Sequence, residues 1–243
     1  KRTENNTLNL FLDKALLHDI KASFSEKTPS SSLVLFAALK VLIYRYSSQN
    51  DFCVGKTIKK SGLFHPSVEN EQNDFLDILP IRSKIDGSMQ FDELVQKLEI
   101  DFAEASSYNQ ISVDQIISLL GKKNEKDLSI LFPVIFDYQK NKENHESNPP
   151  VTIKLQGFNS TLFFGFVEND DSIEATITFD TEMYCFETIQ RMASHFFTLL
   201  ESVQSNPFLN LGHLNIIPYE VRTYLLETLN ATEPAYPDDM TIV

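Results

Sequence analysis

The spacing of apolar positions along this chain alternates between strand-like and helix-like, and each change marks an element. Leu8 to Leu12 reads as a short strand, and Asp13 then opens a helix with Leu16, Leu17, Ile20 and Phe24 on one face. Thr28-Pro29-Ser30-Ser31 is a helix start, with a hydroxyl placed to cap the next helix, Ser32 to Ser47. That second helix is apolar nearly all round, which places it at the centre of a core. Asn50-Asp51 turns the chain into a strand over Phe52 to Ile58, and Lys59 to Asn73 reads as a polar loop. Phe75 to Ile85 is a strand whose Pro80 has no N–H to give to a ladder, so it belongs at an edge or a bulge.

Asp86-Gly87 is a turn, and Phe91, Leu94, Val95, Leu98 and Phe102 mark one face of the following helix. A shorter helix is expected over Val113 to Leu120, ended by Gly121 and the charged stretch Lys122 to Asp127. Phe132 to Gln139 reads as a strong strand and Lys140 to Pro150 as a loop. Val151 to Leu155, Thr161 to Val167 and Ser172 to Phe179 are three more strands. The last of them alternates Ile173, Ala175, Ile177 and Phe179 with polar residues, as on a sheet with one wet face. Phe186, Ile189, Ala193, Phe196, Leu200 and Val203 then recur at helical spacing in a long helix from Tyr184 to Ser205, stopped by Asn206-Pro207. A short helix, Tyr219 to Leu229, precedes a Pro-containing acidic segment that reads as a linker. Together these elements predict an α/β layered fold, an α+β sandwich with a mixed, mostly antiparallel sheet flanked by helices.

Composition narrows the function more than the fold. The 243 residues include 21 basic and 34 acidic side chains, a net charge of −13, which argues against nucleic-acid and anionic-membrane partners. Seven glycines leave no Gly-rich phosphate cradle. The longest apolar run, Leu33 to Tyr44, is broken by Lys40 and is shorter than the ~20 residues that span a bilayer. The start Lys1-Arg2-Thr3 carries no signal-peptide pattern, and the missing Met is read as a piece of a longer polypeptide. The five histidines, at 18, 65, 145, 195 and 213, are isolated, so no metal site is expected. Cys53 and Cys185 sit in apolar surroundings and read as buried structural thiols, and a cytoplasmic location follows from so few cysteines. No Gly-x-Ser-x-Gly stretch is present, and Asp170-Asp171 and Asp238-Asp239 read as solvated turn and linker acids.

Several motifs in order say more than any one of them. Leu35-Phe36-Ala37-Ala38-Leu39 through Leu42-Ile43-Tyr44-Arg45-Tyr46-Ser47 resembles a buried helix ending in Arg-Tyr-Ser/Thr-Gly. Gln49-Asn50-Asp51-Phe52-Cys53-Val54-Gly55 is similar to a Gln-Asp-Asp-hydrophobic-x-Val-Gly strand, and Phe75-Leu76-Asp77-Ile78-Leu79-Pro80-Ile81-Arg82 to Phe-Val-Asn-Thr-Leu-Pro-Leu-Arg. Tyr108-Asn109-Gln110 with Asp114-Gln115-Ile116 is similar to a degraded His/Asn-Gln-Asp-x-Pro-Phe-Glu segment. Asp127-Leu128-Ser129 with Leu131-Phe132-Pro133-Val134-Ile135-Phe136 resembles Ser-x-x-Pro-Leu-Phe-x-Val-x-Phe. These features, with Leu229-Asn230-Ala231-Thr232 and Tyr236-Pro237 near the end, resemble the C-terminal half of a nonribosomal peptide synthetase condensation domain.

The resemblance implies a chloramphenicol-acetyltransferase-like lobe over residues 1–229 and a linker toward an adenylation domain over residues 230–243. It implies amide formation between carrier-tethered thioesters in a parent synthetase, with this lobe giving a tunnel wall and a carrier dock. The family's His-His-x-x-x-Asp-Gly motif is absent, since no two histidines are adjacent, so this chain alone is expected to be inactive and to lack an N-terminal lobe. Implied partners are that lobe, peptidyl carrier proteins and an adenylation domain. No cofactor is expected to bind directly, although the carriers' phosphopantetheine arms would enter the tunnel. Tunnel or lobe-junction candidates are Asp77, where the family usually has Asn, Arg82, read as pairing with a carboxylate or as a plain strand-end residue, and Gln110, Asp114 and Ser129. The other readings are a degenerate, non-catalytic carrier-binding module and a cyclisation, epimerisation or acyltransferase relative.

Overall fold

The protein is described by a computed structural model, which covers residues 5–24, 28–60, 75–108, 132–141 and 162–231. The strands are β1 (Asn5–Asp13), β2 (Asp51–Lys60), β3 (Phe75–Lys84), β4 (Val134–Lys140), β5 (Leu162–Glu168) and β6 (Ser172–Asp180). The helices are α1 (Lys14–Ala22), α2 (Ser31–Ser47), α3 (Phe91–Ser107), α4 (Phe186–Ser205) and the short α5 (Tyr219–Thr223), which runs into a π-helical turn (Tyr224–Thr228). The expected helix over Val113 to Leu120 and strand over Val151 to Leu155 lie outside the described residues, as does nearly all of the linker.

The six strands form one sheet in the order β1-β6-β5-β4-β2-β3. The pairs β1–β6, β5–β6 and β2–β3 are antiparallel, while β2–β4 and β4–β5 are parallel. The mixed, mostly antiparallel sheet flanked by helices is therefore the observed architecture. Pro80 lies opposite Gly55 on the edge strand β3, where a missing N–H costs least.

Helix starts follow the capping chemistry. Asp13 accepts the Ala15 N–H, and Ser30 accepts the Leu33 N–H, so hydroxyl and carboxylate groups satisfy donors that the first turn leaves free. Ser48 ends α2 in a left-handed conformation at φ 56°, which glycine adopts without the Cβ penalty a serine carries.

One core lies between the sheet and helices α1 to α4. Alternate strand residues supply one side, among them Leu12, Val54, Ile81, Phe136, Phe164, Phe166 and Ile177, and Ile20, Leu39, Leu98 and Leu200 stand among the helical contributors. Phe136 is central: its ring centroid lies 5.0 Å from Phe36 and 5.4 Å from Phe166. The charge that interrupts the apolar run of α2 is also in this core. Lys40 is 0% exposed, donates to the Ile81 carbonyl at 2.8 Å, and has its ammonium 5.1 and 5.2 Å from the Phe36 and Phe52 rings. Burial pulls its pKa down from 10.5 to about 7.

The far end of α2 is tied to the end of the domain. Arg45 donates to the carbonyls of Leu211 and Leu214 at 3.3 and 2.8 Å. Beside it the Gly212 N–H meets the Gly87 carbonyl at 2.9 Å, and a Cβ on Gly212 would stand 3.2 Å from that same oxygen. The Arg-Tyr-Ser stretch thus works as a clamp on the 209–214 turn. Tyr46 adds a 2.7 Å hydrogen bond to His195 of α4.

Candidate functional site

Three polar features survive around this core. The first is the sheet face away from the helices. The pairing register puts Thr7, Asn9, Thr176, Thr178, Gly165, Asp137 and Thr57 on it. Its centre is Asp137, 5% exposed, whose carboxylate accepts from the Thr57 hydroxyl and from Gln139 Nε2 at 3.0 Å. Toward β1 the polar ladder continues, with Thr176 donating to Asn9 Oδ1 at 3.3 Å. Such a surface can orient hydrogen-bonding groups.

The second feature is a chain of polar contacts where α1 and α2 start above the sheet. Lys21 donates to Ser31 Oγ at 3.3 Å, the Ser31 hydroxyl bonds Tyr138, and Tyr138 donates to Glu168. Lys14 holds the other carboxylate oxygen at 3.2 Å. Burial pushes the Glu168 carboxyl up, but Tyr138 and Lys14 together outweigh it and hold it below the usual carboxylate range. Tyr138, buried and facing this carboxylate, is pushed well up. Lys56 lies nearby, donating to Ser32 Oγ at 2.9 Å with its ammonium 4.6 Å from the Phe136 ring, and burial lowers it to about 8.

Tyr138→Phe removes the hydroxyl that donates to the buried Glu168 carboxylate. A loss of ~1–3 kcal/mol in unfolding free energy is expected at neutral pH. Glu168 binds its proton less tightly folded than unfolded, so its contribution is present above its ordinary pKa of 4.5 and lost as pH falls through the lower folded value. The variant should therefore also unfold at a higher pH in an acid titration followed by circular dichroism.

The third feature is the pair at the sheet edge. Arg82 grips Asp51 with Nε at 2.8 Å and Nη2 at 2.7 Å, a two-point contact that raises Arg82 and lowers Asp51. Both are surface groups, so the pair contributes little to stability.

Of the sequence candidates, Arg82 lies on β3 and its carboxylate partner is Asp51 of the neighbouring strand. Asp77 stands opposite Ile58 in the β2–β3 register. Gln110, Asp114 and Ser129 lie outside the described residues, so the five are not seen assembled into one site. One expectation needs correction. Cys185 is exposed and occupies the N-cap position of α4 without a side-chain cap hydrogen bond, because the helix starts at Phe186 rather than at Tyr184. Cys53 is half-buried, and burial pushes its thiol up to about 11, a poor nucleophile. Among the described residues, no group of three or more His, Cys, Asp or Glu side chains could hold a metal ion, and no helix is long and apolar enough to cross a membrane.

Sequence reasoning missed Asp137, Glu168 and Lys40. Asp137 stands within β4, Glu168 closes β5 and Lys40 interrupts the apolar run of α2, and a charge set next to apolar residues was the available signal.

The family model for the condensation domain matches residues 1–226. The chain belongs to the condensation domain family. Among curated condensation-domain relatives, bacitracin synthase 1 of Bacillus licheniformis is 25% identical over 96% of this chain and 4% of its own length. Gramicidin S synthase 2 of Brevibacillus brevis is 26% identical over 94% of this chain and 5% of its own. The chain therefore spans a small part of these large proteins. In solved structures the fold is similar to the X-domain from teicoplanin biosynthesis, with a TM-score of 0.71 at 19% identity over 88% of this chain and 50% of that one. It is also similar to the condensation domain from the monacolin K polyketide synthase MokA, with a TM-score of 0.69 at 14% identity over 86% of this chain and 49% of that one. This likeness carries the fold. The chain covers about half of each of these two structures.

Proposed function

We propose that this chain is the C-terminal lobe of a nonribosomal peptide synthetase condensation domain. The observation that carries the reading is the family match over residues 1–226 in a chain that covers 49% of a solved condensation domain. The relatives' names, a bacitracin synthase and a gramicidin S synthase, support the same setting. In the parent protein an acceptor amine attacks the carbonyl carbon of a donor thioester. A C–N bond forms, the C–S bond breaks, and the carrier's thiol leaves with a proton. Two tethered substrates held in register supply most of the rate, and a histidine from the other lobe orients or deprotonates the amine.

On this reading the present chain contributes a tunnel wall and part of a carrier dock. Asp77, Gln110, Asp114 and Ser129 are the tunnel candidates, and Arg82, locked to Asp51, stiffens the edge near the lobe junction. The phosphopantetheine arms of peptidyl carrier proteins are the reactive groups that enter, and an adenylation domain follows. The protein works in the cytoplasm.

The purified chain, mixed with donor- and acceptor-loaded carrier proteins, is expected to form no amide. Joined to the upstream half of its parent, it is expected to restore amide formation. Condensation by the chain alone would overturn the reading. A second reading, a carrier-binding module without catalysis, is favoured by Asp77, which can only accept a hydrogen bond where an Asn would also donate one. An intact parent that binds loaded carriers, makes no amide, and gains activity with Asp77→Asn would select it.

A further inference from the structure

Strand β1 ends the sheet, and among the described residues nothing pairs with its outer edge. Edge strands are ordinarily blunted by short length, Pro, Lys or a bulge. This one has none of these. It runs nine residues, Asn-Asn-Thr-Leu-Asn-Leu-Phe-Leu-Asp, in unbroken register with β6, and its one charge, Asp13, stands at the end. Phe11 is 72% exposed on the face away from the helices. Leu8 and Leu10 are half-buried on the core side.

We infer that β1 is a docking edge for a second copy of this chain, pairing antiparallel about Asn9 to make one continuous sheet across two molecules. The sequence is self-complementary in that register. On the core side Leu8 of one copy meets Leu10 of the other, and Asn6 meets Leu12. On the open side Phe11 meets Thr7, an aromatic and β-branched cross-strand pair, and Asn9 meets its own copy on the two-fold axis. Asp13 falls opposite Asn5, so no like charges face each other along the seam. Each molecule carries a net charge of −13, which opposes association at long range, while along the seam the two Asp13 carboxylates stand at opposite ends. Added salt should therefore tighten the dimer rather than loosen it.

Asn9 allows a clean test because it is exposed and its side chain, among the described residues, accepts a hydrogen bond from Thr176 alone. Sedimentation velocity of the wild-type chain up to roughly 100 µM, a range suited to small interfaces, is expected to show a monomer–dimer equilibrium that tightens with salt. Asn9→Lys and Asn9→Asp each place like charges on the axis and should each weaken self-association at least ~10-fold. An equimolar mixture of the two should restore dimers, with thermal unfolding confirming that both fold. A monomeric wild type, an Asn9→Lys variant that dimerises as tightly as wild type, or a mixture that stays monomeric overturns the inference.

Discussion

Lys40→Met is expected to stabilise the protein by ~1–3 kcal/mol near pH 6, because a buried charge that forms no ion pair with a carboxylate among the described residues costs more than an apolar side chain of similar shape. The lysine's hydrogen bond to the Ile81 carbonyl offsets part of that cost and is lost in the variant. The pH dependence identifies the cause. Below about 7 folded and unfolded chains both hold the Lys40 proton, so the wild type bears the whole cost of the buried charge. Between about 7 and 10.5 the unfolded chain still binds that proton and the folded chain does not, so wild-type stability climbs with pH. The charges that face Lys40 modify the climb without reversing it: Asp101 on α3 favours the ammonium and Lys97 on α3 opposes it, while Cys53 on β2, pushed up to about 11, favours it only once it becomes a thiolate. The advantage of Lys40→Met should therefore shrink steadily from neutral to alkaline pH. Chemical unfolding at three pH values reads this directly, and an advantage that does not change with pH would contradict it. Lys56, lowered to about 8, should leave a residual climb in the variant.

Phe136→Ala should cost ~3–5 kcal/mol, the range for emptying a fully buried aromatic position. The ring touches Phe36 and Phe166 across the layers, so neither neighbour can collapse into the space without losing its other contacts. It also covers the Lys56 ammonium, so the variant should expose that amine and move its pKa back toward the ordinary lysine value. A urea midpoint that falls with little change in slope would mark loss of stability rather than loss of compactness. A drop under ~1 kcal/mol would show that the core repacks around the gap.

The layered fold was legible because the long helices and the β6 hairpin follow simple periods. α2 reads as central since charge is almost missing from its circumference, and Pro80 restricts β3 to an edge or a bulge, of which the structure shows the edge. Local chemistry also fixed the starts of α1 and α2 through Asp13 and Ser30. The order of strands was not legible, because a parallel pairing such as β2 with β4 leaves no local trace in either strand. The polar contacts were hidden for a related reason. Glu168 looks like a turn residue until β5 carries it inward to Tyr138, thirty positions away in sequence. Cys185 was misplaced because Tyr184 fits the helical period while the first helical residue is Phe186.

The joining of β1 to β6 also constrains how the chain is made. The hydroxyls of Thr7 and Thr178 come within 3.4 Å although 171 residues separate them. On a ribosome adding ~5–20 residues per second, β1 is synthesised roughly 9–34 s before its native neighbour exists. For that interval both of its edges are unpaired, and α1 has no sheet to pack on. The first strand of the sequence is thus the last that the sheet can accept.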